Sequence, residues 1–167
     1  MTSIEGDADF RPDLLEGDDQ ALGSQILTWS EQGYAVRVVR GRKMRDIEGV
    51  FDEFASALQF PLYFGENKDA FDECMTSLER VPLGRGICLV ITQPDQVLMD
   101  SAFDEMNWFA NSLLVVSKTW GTPVSDGEWW DRPSVPFNVI LAGEPRVTER
   151  ARVLWSAAGV VPRFMNA

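Results

Sequence analysis

The sequence predicts an α/β domain in which a three-stranded parallel sheet is packed with helices. Two segments, ICLVIT (87–92) and FNVILA (137–142), are almost continuous apolar runs, as is typical of strands buried on both faces. The predicted strands follow one another at roughly fifty residues, which suits helical crossovers better than hairpins. Segments with helical periodicity lie between them. These three observations together favour a parallel sheet covered by helices.

The acidic, Gly- and Asp-rich residues 1–19 are expected to be a loosely ordered N-terminus, and residues 20–167 to form one domain. A helix is predicted from about Asp19 to Gln32, because its apolar residues share one stripe and Gly33 supplies a C-terminal stop. The β-branched run Tyr34–Val39 predicts the first strand.

Four further helices are predicted around the two apolar strands. One begins at about Asp46 and ends before Pro61, and another spans about Asn67 to Leu78. The last two cover about Phe103 to Thr119 and Thr148 to Ala158. The core of the domain is predicted to span about residues 34–143.

Charge and composition restrict the classes of function. The net charge of −11 and pI near 4.4 argue against a nucleic acid or an anionic membrane as partner, and favour a basic protein. The chain has no histidine, which removes the usual general base and the commonest metal ligand. We therefore predict no catalytic residues, no metal and no cofactor. The pattern leaves the oligomeric state open.

The cysteines and the N-terminus indicate the cellular setting. Cys74 and Cys88 lie among apolar residues, so buried free thiols are predicted in preference to a disulfide or metal site. The first residues lack the charged and apolar regions of a signal peptide, and no apolar stretch has the length of a membrane span. We expect a cytoplasmic protein.

The stretch FPLYFGENKDAFDEC (60–74) carries an unusual amount of negative charge. At about 100° per residue, the side chains of the predicted helix divide into an apolar arc and an acidic arc. The acidic arc holds Asp69, Asp72, Glu73 and Thr76. Like charges at these spacings cost about 0.2–0.5 kcal/mol per pair, a penalty that a cationic partner would relieve. A merely solvated helix face is the alternative interpretation.

Residues 61–74 resemble the motif of the barstar family of ribonuclease inhibitors. They contain a proline, an aromatic pair, Gly-Glu-Asn, and then Asp-Ala and a Cys at the spacing of that family. The resemblance implies a barstar-like fold with added N- and C-terminal helices, and a non-enzymatic protein that plugs the active site of a basic, barnase-type ribonuclease. In the family, carboxylates of this helix occupy the places of RNA phosphates. The predicted partner-binding residues are Tyr63, Gly65, Asn67, Asp69, Asp72, Glu73 and Thr76.

Three positions depart from the pattern of barstar itself. Glu73 stands where barstar has an aspartate, and Asp72 and Leu78 stand where it has tryptophans. The resemblance therefore predicts the fold more directly than it predicts the same target. A different basic protein or toxin remains an alternative partner, and a small acid–base hydrolase is a further alternative.

Two other clusters in the sequence could form functional sites. Five basic residues between Arg37 and Arg45 could bind nucleic acid, but we interpret them as the protective charges of an edge strand and its turn. Trp129 and Trp130 could stack on a sugar or fill a pocket of a partner. We expect their loop to pack back on the sheet instead.

Overall fold

The computed structural model describes residues 10–165, which form a five-stranded sheet with helices on both faces. All neighbouring strands are parallel, in the order β2-β3-β4-β1-β5. The strands are β1 (Asp13–Glu16), β2 (Ala35–Arg40), β3 (Ile87–Thr92), β4 (Phe137–Gly143) and β5 (Arg163–Phe164). The prediction of a parallel α/β sheet is confirmed, whereas the prediction of three strands is wrong.

The two additional strands are short and lack a sequence signal. Strand β1 reads DLLE, without a β-branched residue, and β5 has only two residues. Each gains its stability from its neighbour: Leu14 of β1 pairs with Leu141 of β4 and with Phe164 of β5. Strand β1 lies within the N-terminus expected to be loosely ordered, of which residues 1–9 are outside the described part.

The five helices begin and end within a few residues of the predicted positions. They are α1 (Asp19–Glu31), α2 (Ile47–Ala57), α3 (Lys68–Ser77), α4 (Phe103–Gly121) and α5 (Pro145–Ala157). Helices α1, α2 and α3 start where the side chains of Asp18, Asp46 and Asn67 accept a hydrogen bond from a backbone amide of the first turn. Such N-caps satisfy donors that the helix itself leaves unpaired.

The helices are divided unequally between the two faces of the sheet. Helix α1 packs on one face, where its Leu22 and Trp29 form a small core with Val90 of β3. The other four helices contribute to the larger core on the opposite face, which includes the adjacent Leu89. Successive residues of a strand point to opposite faces, so a strand buried on both sides must be apolar throughout.

Strand β2 lies at one edge of the sheet, as the basic cluster predicted. Part of that cluster is paired: Arg40 bonds with Glu53 at 2.6 Å, and Arg45 bonds with Asp100 at 2.8 Å. Charged side chains along an edge strand oppose pairing with another sheet.

Both cysteines are buried and free, as predicted. Burial raises the pKa of the Cys88 thiol to about 12. Within residues 10–165, no helix combines the length and apolar character needed to cross a membrane.

Candidate partner-binding site

The orientation of α3 is set by its apolar side. Phe71, Cys74 and Met75 are buried in the larger core. The ring of Phe71 lies 5.1 Å from that of Phe54 and 5.3 Å from that of Trp108, between centroids. This packing of α3 against α2 and α4 leaves Asp69 and Glu73, on its acidic side, exposed to solvent.

The predicted site residue Asn67 shapes the start of α3. Its Oδ1 accepts a hydrogen bond from the amide of Ala70 at 2.9 Å, and its Nδ2 donates to the carbonyl of Gly65 at 3.2 Å. A Cβ at position 65 would lie 3.1 Å from that Nδ2. Glycine at position 65 therefore leaves room for the amide of Asn67, which holds the loop against the helix.

Asp69 and Glu73 form an exposed pair one turn apart on α3. Neither carboxylate has a salt bridge or a side-chain hydrogen bond with any residue between 10 and 165. Lys68, the one cationic residue of α3, is directed elsewhere: its Nζ lies 2.9 Å from Glu105 and 5.2 Å from the ring centroid of Trp108. The negative charge of this face is therefore not neutralised from within the helix.

Asp72 and Thr76 differ from that exposed pair because their side chains have hydrogen-bond partners. Asp72 bonds to a residue of α4, and Thr76 bonds to backbone carbonyls of α3. Asp72 is half-buried and accepts a hydrogen bond from the hydroxyl of Ser112. The Thr76 hydroxyl lies 3.0 Å from the carbonyl oxygen of Asp72 and 3.1 Å from that of Glu73. A helical wheel places all four residues on one arc, but it contains no information about the neighbouring α4.

The loop before α3 presents two apolar side chains to solvent. Leu62 is 100% exposed and Tyr63 is 79% exposed. The next residue, Phe64, anchors the loop, since its ring packs edge-on against Phe60 at 5.1 Å and Phe51 at 5.7 Å. Sequence reasoning selected Tyr63 but missed Leu62, for which the only signal was its place in a loop outside any periodic element.

Trp129 and Trp130 do not pack back on the sheet, so that expectation is wrong. Trp129 is 89% exposed and Trp130 is 50% exposed. The base of their loop packs in their place: the guanidinium of Arg132 lies 4.5 Å from the ring centroid of Trp120 and donates to the carbonyl of Thr119 at 3.0 Å. Arg132, and not a tryptophan, is thus the loop residue that packs against α4, while Trp129 is almost fully exposed and Trp130 is half-exposed.

The site residues are arranged for binding through charge and shape. Exposed carboxylates project from an ordered helix, with Leu62 and Tyr63 beside its N-terminus. Among residues 10–165, no group of three or more His, Cys, Asp or Glu side chains is placed to hold a metal ion. The surface is suited to a partner that supplies cations and an apolar contact.

Comparison with solved structures shows the fold alone. Seventeen chains match. One is Cdc6p from Pyrobaculum aerophilum, with a TM-score of 0.53 and 17% sequence identity over 92% of this chain. The match covers 38% of the Cdc6p chain, so the present chain spans well under half of that protein. A comparison with curated proteins gave no match.

A family model gives a more specific result. The model described as Barstar (barnase inhibitor) matches residues 34–142 of the 167. This range begins just before β2 and ends in β4, and it includes α3 and the loop before it. The chain belongs to the barstar family.

Proposed function

We propose that this protein binds a basic ribonuclease and inhibits it by covering the active site with α3 and the loop before it. The observation that carries the proposal is the exposed pair Asp69 and Glu73, which has no cationic partner among residues 10–165. The pair lies within the region matched by a family whose description is barnase inhibitor.

The physical basis is competition with RNA. A ribonuclease must attract a polyanion, so its active site is lined with positive charge. Asp69 and Glu73 are four residues apart, which separates them by about 6 Å along the helix axis. They present repeated negative charge on a rigid support, and Arg or Lys side chains of the enzyme would bind them through charge-assisted hydrogen bonds. Inhibition then requires no bond to be made or broken.

The direct test measures RNA cleavage by a barnase-type ribonuclease with and without the purified protein. We expect cleavage to fall as the protein is added, and to stop when protein and enzyme are present in equal amounts. Unchanged cleavage at micromolar protein would overturn the proposal for ribonucleases of this type. In that case the alternative is a different basic protein, which a pull-down with the purified protein would identify.

The exposed pair itself is tested with the double variant Asp69→Ala/Glu73→Ala. We expect inhibition to be lost, while the free energy of unfolding stays within about 0.5 kcal/mol, because a like-charge pair is removed from a solvated face. The control is Asp19→Ala/Glu31→Ala, which makes the same change in net charge with exposed residues of α1 on the other side of the sheet. Loss of folding in the first variant would assign the pair a structural role.

A further inference from the structure

We infer that residues 122–135, here called the Trp loop, form a second contact surface for the same basic partner. Trp129 and Trp130 are the anchoring side chains of this surface. The inference rests on the proposed function, because it assigns the Trp loop to the partner that binds α3. It adds a binding site outside the motif from which that function was proposed.

Exposure of the two tryptophans is the first observation. Their ring centroids are 5.5 Å apart and the ring planes are nearly perpendicular, so the pair forms one continuous apolar projection. An aromatic side chain buries about 150–250 Å² when it is fully covered, and most of this area is still available at Trp129 and about half of it at Trp130. Trp is also among the residues that most often dominate the binding energy of protein interfaces.

The loop is held in its conformation by bonds of its own. The Asp131 carboxylate accepts hydrogen bonds from the amides of Asp126 and Gly127, both at 2.8 Å. The Trp130 indole donates to Asp126 at 3.2 Å. Val124 and Arg132 pair as in an antiparallel ladder, at 2.9 and 3.0 Å. A surface that is already ordered loses little conformational entropy when a partner covers it.

Contacts at the base of the loop place it beside α3. The Arg132 guanidinium stacks over Trp120, and the Trp120 indole donates a hydrogen bond to the backbone carbonyl of Met75 in α3 at 2.9 Å. Met75 is two residues beyond Glu73. The base of the Trp loop therefore lies near the C-terminal half of α3, whereas Leu62 and Tyr63 lie at its N-terminal end. A partner broad enough to cover α3 along its whole length could therefore also reach the Trp loop.

The negative charge of the loop also favours a basic partner. Asp126, Glu128 and Asp131 flank the tryptophans in sequence, and the loop's one cation, Arg132, is bonded to backbone carbonyls at the base. Because the tryptophans lie among carboxylates, a basic protein surface is favoured over an acidic protein, a nucleic acid or an anionic membrane.

The test compares inhibition of a barnase-type ribonuclease by the wild-type protein and by Trp129→Ala/Trp130→Ala. We expect the inhibition constant to rise by about 10- to 100-fold, chiefly through faster dissociation. The variant Trp129→Phe/Trp130→Phe should recover most of the loss, since it keeps apolar rings at both positions. Leu27→Ala, at an exposed apolar residue of α1 on the other side of the sheet, should leave the inhibition constant unchanged.

The outcomes distinguish this inference from the proposed function. Inhibition that depends on Asp69 and Glu73 but is unchanged in the Trp→Ala variant overturns the role of the Trp loop alone. A wild-type protein that does not inhibit overturns both. Sedimentation of the free protein provides one more outcome: a wild-type dimer that becomes monomeric in the Trp→Ala variant would make a second copy of the chain the occupant, and would overturn the inference.

Discussion

Asp72 and Glu73 are adjacent in the chain, yet their carboxylates have different environments. Asp72 turns toward α4, where the buried Ser112 donates a hydrogen bond to it. Glu73 is exposed and joins Asp69 as an acid without a cationic partner among residues 10–165. A buried hydroxyl without a hydrogen-bond partner is costly, so Asp72 has a structural role as the acceptor for Ser112. Asp69 and Glu73 have no such structural role, so we expect them to tolerate substitution without a large loss of stability.

Gln59 shows local strain that a single substitution should relieve. It follows α2 with a φ of 55°, and the amide of Phe60 beyond it donates to the carbonyl of Ala55 at 3.0 Å. This is the helix-ending geometry that favours glycine, because other L-residues cost about 1–2 kcal/mol in the left-handed region. The Gln59 side chain is exposed and makes no hydrogen bond within residues 10–165.

We therefore expect Gln59→Gly to raise the free energy of unfolding by about 0.5–1 kcal/mol. The gain is smaller than the backbone strain that is removed, because glycine also gives the unfolded chain more conformational freedom. Urea denaturation measures the change. Gln59→Ala is the control, since it removes the same side chain but retains the Cβ and should not stabilise the protein. Equal stability of the Gly and Ala variants would contradict the interpretation of strain.

At the scale of elements, the sequence predicted the parts whose residues carry a periodic pattern. Strands β3 and β4 are buried on both faces and must be apolar throughout, so their composition identifies them. Strand β1 forms on the open edge of β4, and β5 forms on the edge of β1. This is a tertiary effect that segments of four and two residues cannot encode. The exposure of the Trp loop was missed for a related reason. Its packing position is filled by Arg132, a residue whose charge gives no indication of burial against Trp120.

Glu53 connects α2 with the edge strand β2. Its carboxylate accepts hydrogen bonds from the backbone amide of Arg40 at 3.0 Å and from the guanidinium of the same residue at 2.6 and 3.1 Å. The side-chain hydrogen bond from Arg40 is the main cause that lowers the pKa of Glu53 below its ordinary value. The stability that this interaction supplies is present above the pKa of the unfolded chain, about 4.3. It is lost as the pH falls through the lower pKa of the folded protein.

We expect Glu53→Gln to reduce the free energy of unfolding by about 1 kcal/mol at pH 7, because Arg40 is half-exposed and solvent weakens the pair. The difference from wild type should shrink below about pH 4, where the glutamate itself becomes protonated. Thermal unfolding at several pH values checks this. Glu48→Gln, an exposed acid of the same helix, should show a much smaller difference at pH 7. A difference for Glu53→Gln that does not depend on pH would contradict the assignment.

At the scale of the whole molecule, α1 and the other four helices give the two faces of the sheet different surroundings. Helices α2 to α5 occupy one face, and the proposed binding surface uses the exposed side of α3 together with the loop before it and the Trp loop. Helix α1 covers the opposite face, where it packs on β3 and β4, and it carries none of the proposed contacts. Because of this arrangement, substitutions on α1 can change the net charge of the protein without touching the binding surface.

The net charge of −11 should govern how fast the protein meets a basic partner. Long-range attraction raises association rates by about 10- to 1,000-fold at low ionic strength, and salt screens it over a distance of about 10 Å at 0.1 M. We expect the association rate constant with a barnase-type ribonuclease to fall at least about tenfold between 0.01 and 0.5 M NaCl, as measured by stopped-flow fluorescence. The dissociation rate constant should change far less, because the contacts that hold the complex together are short-range.

Asp19→Ala/Glu31→Ala should slow association less than Asp69→Ala/Glu73→Ala, since the second pair lies where the partner docks. Equal slowing by the two variants would show that only the total charge matters, and would remove the acidic face of α3 from its proposed role in encounter.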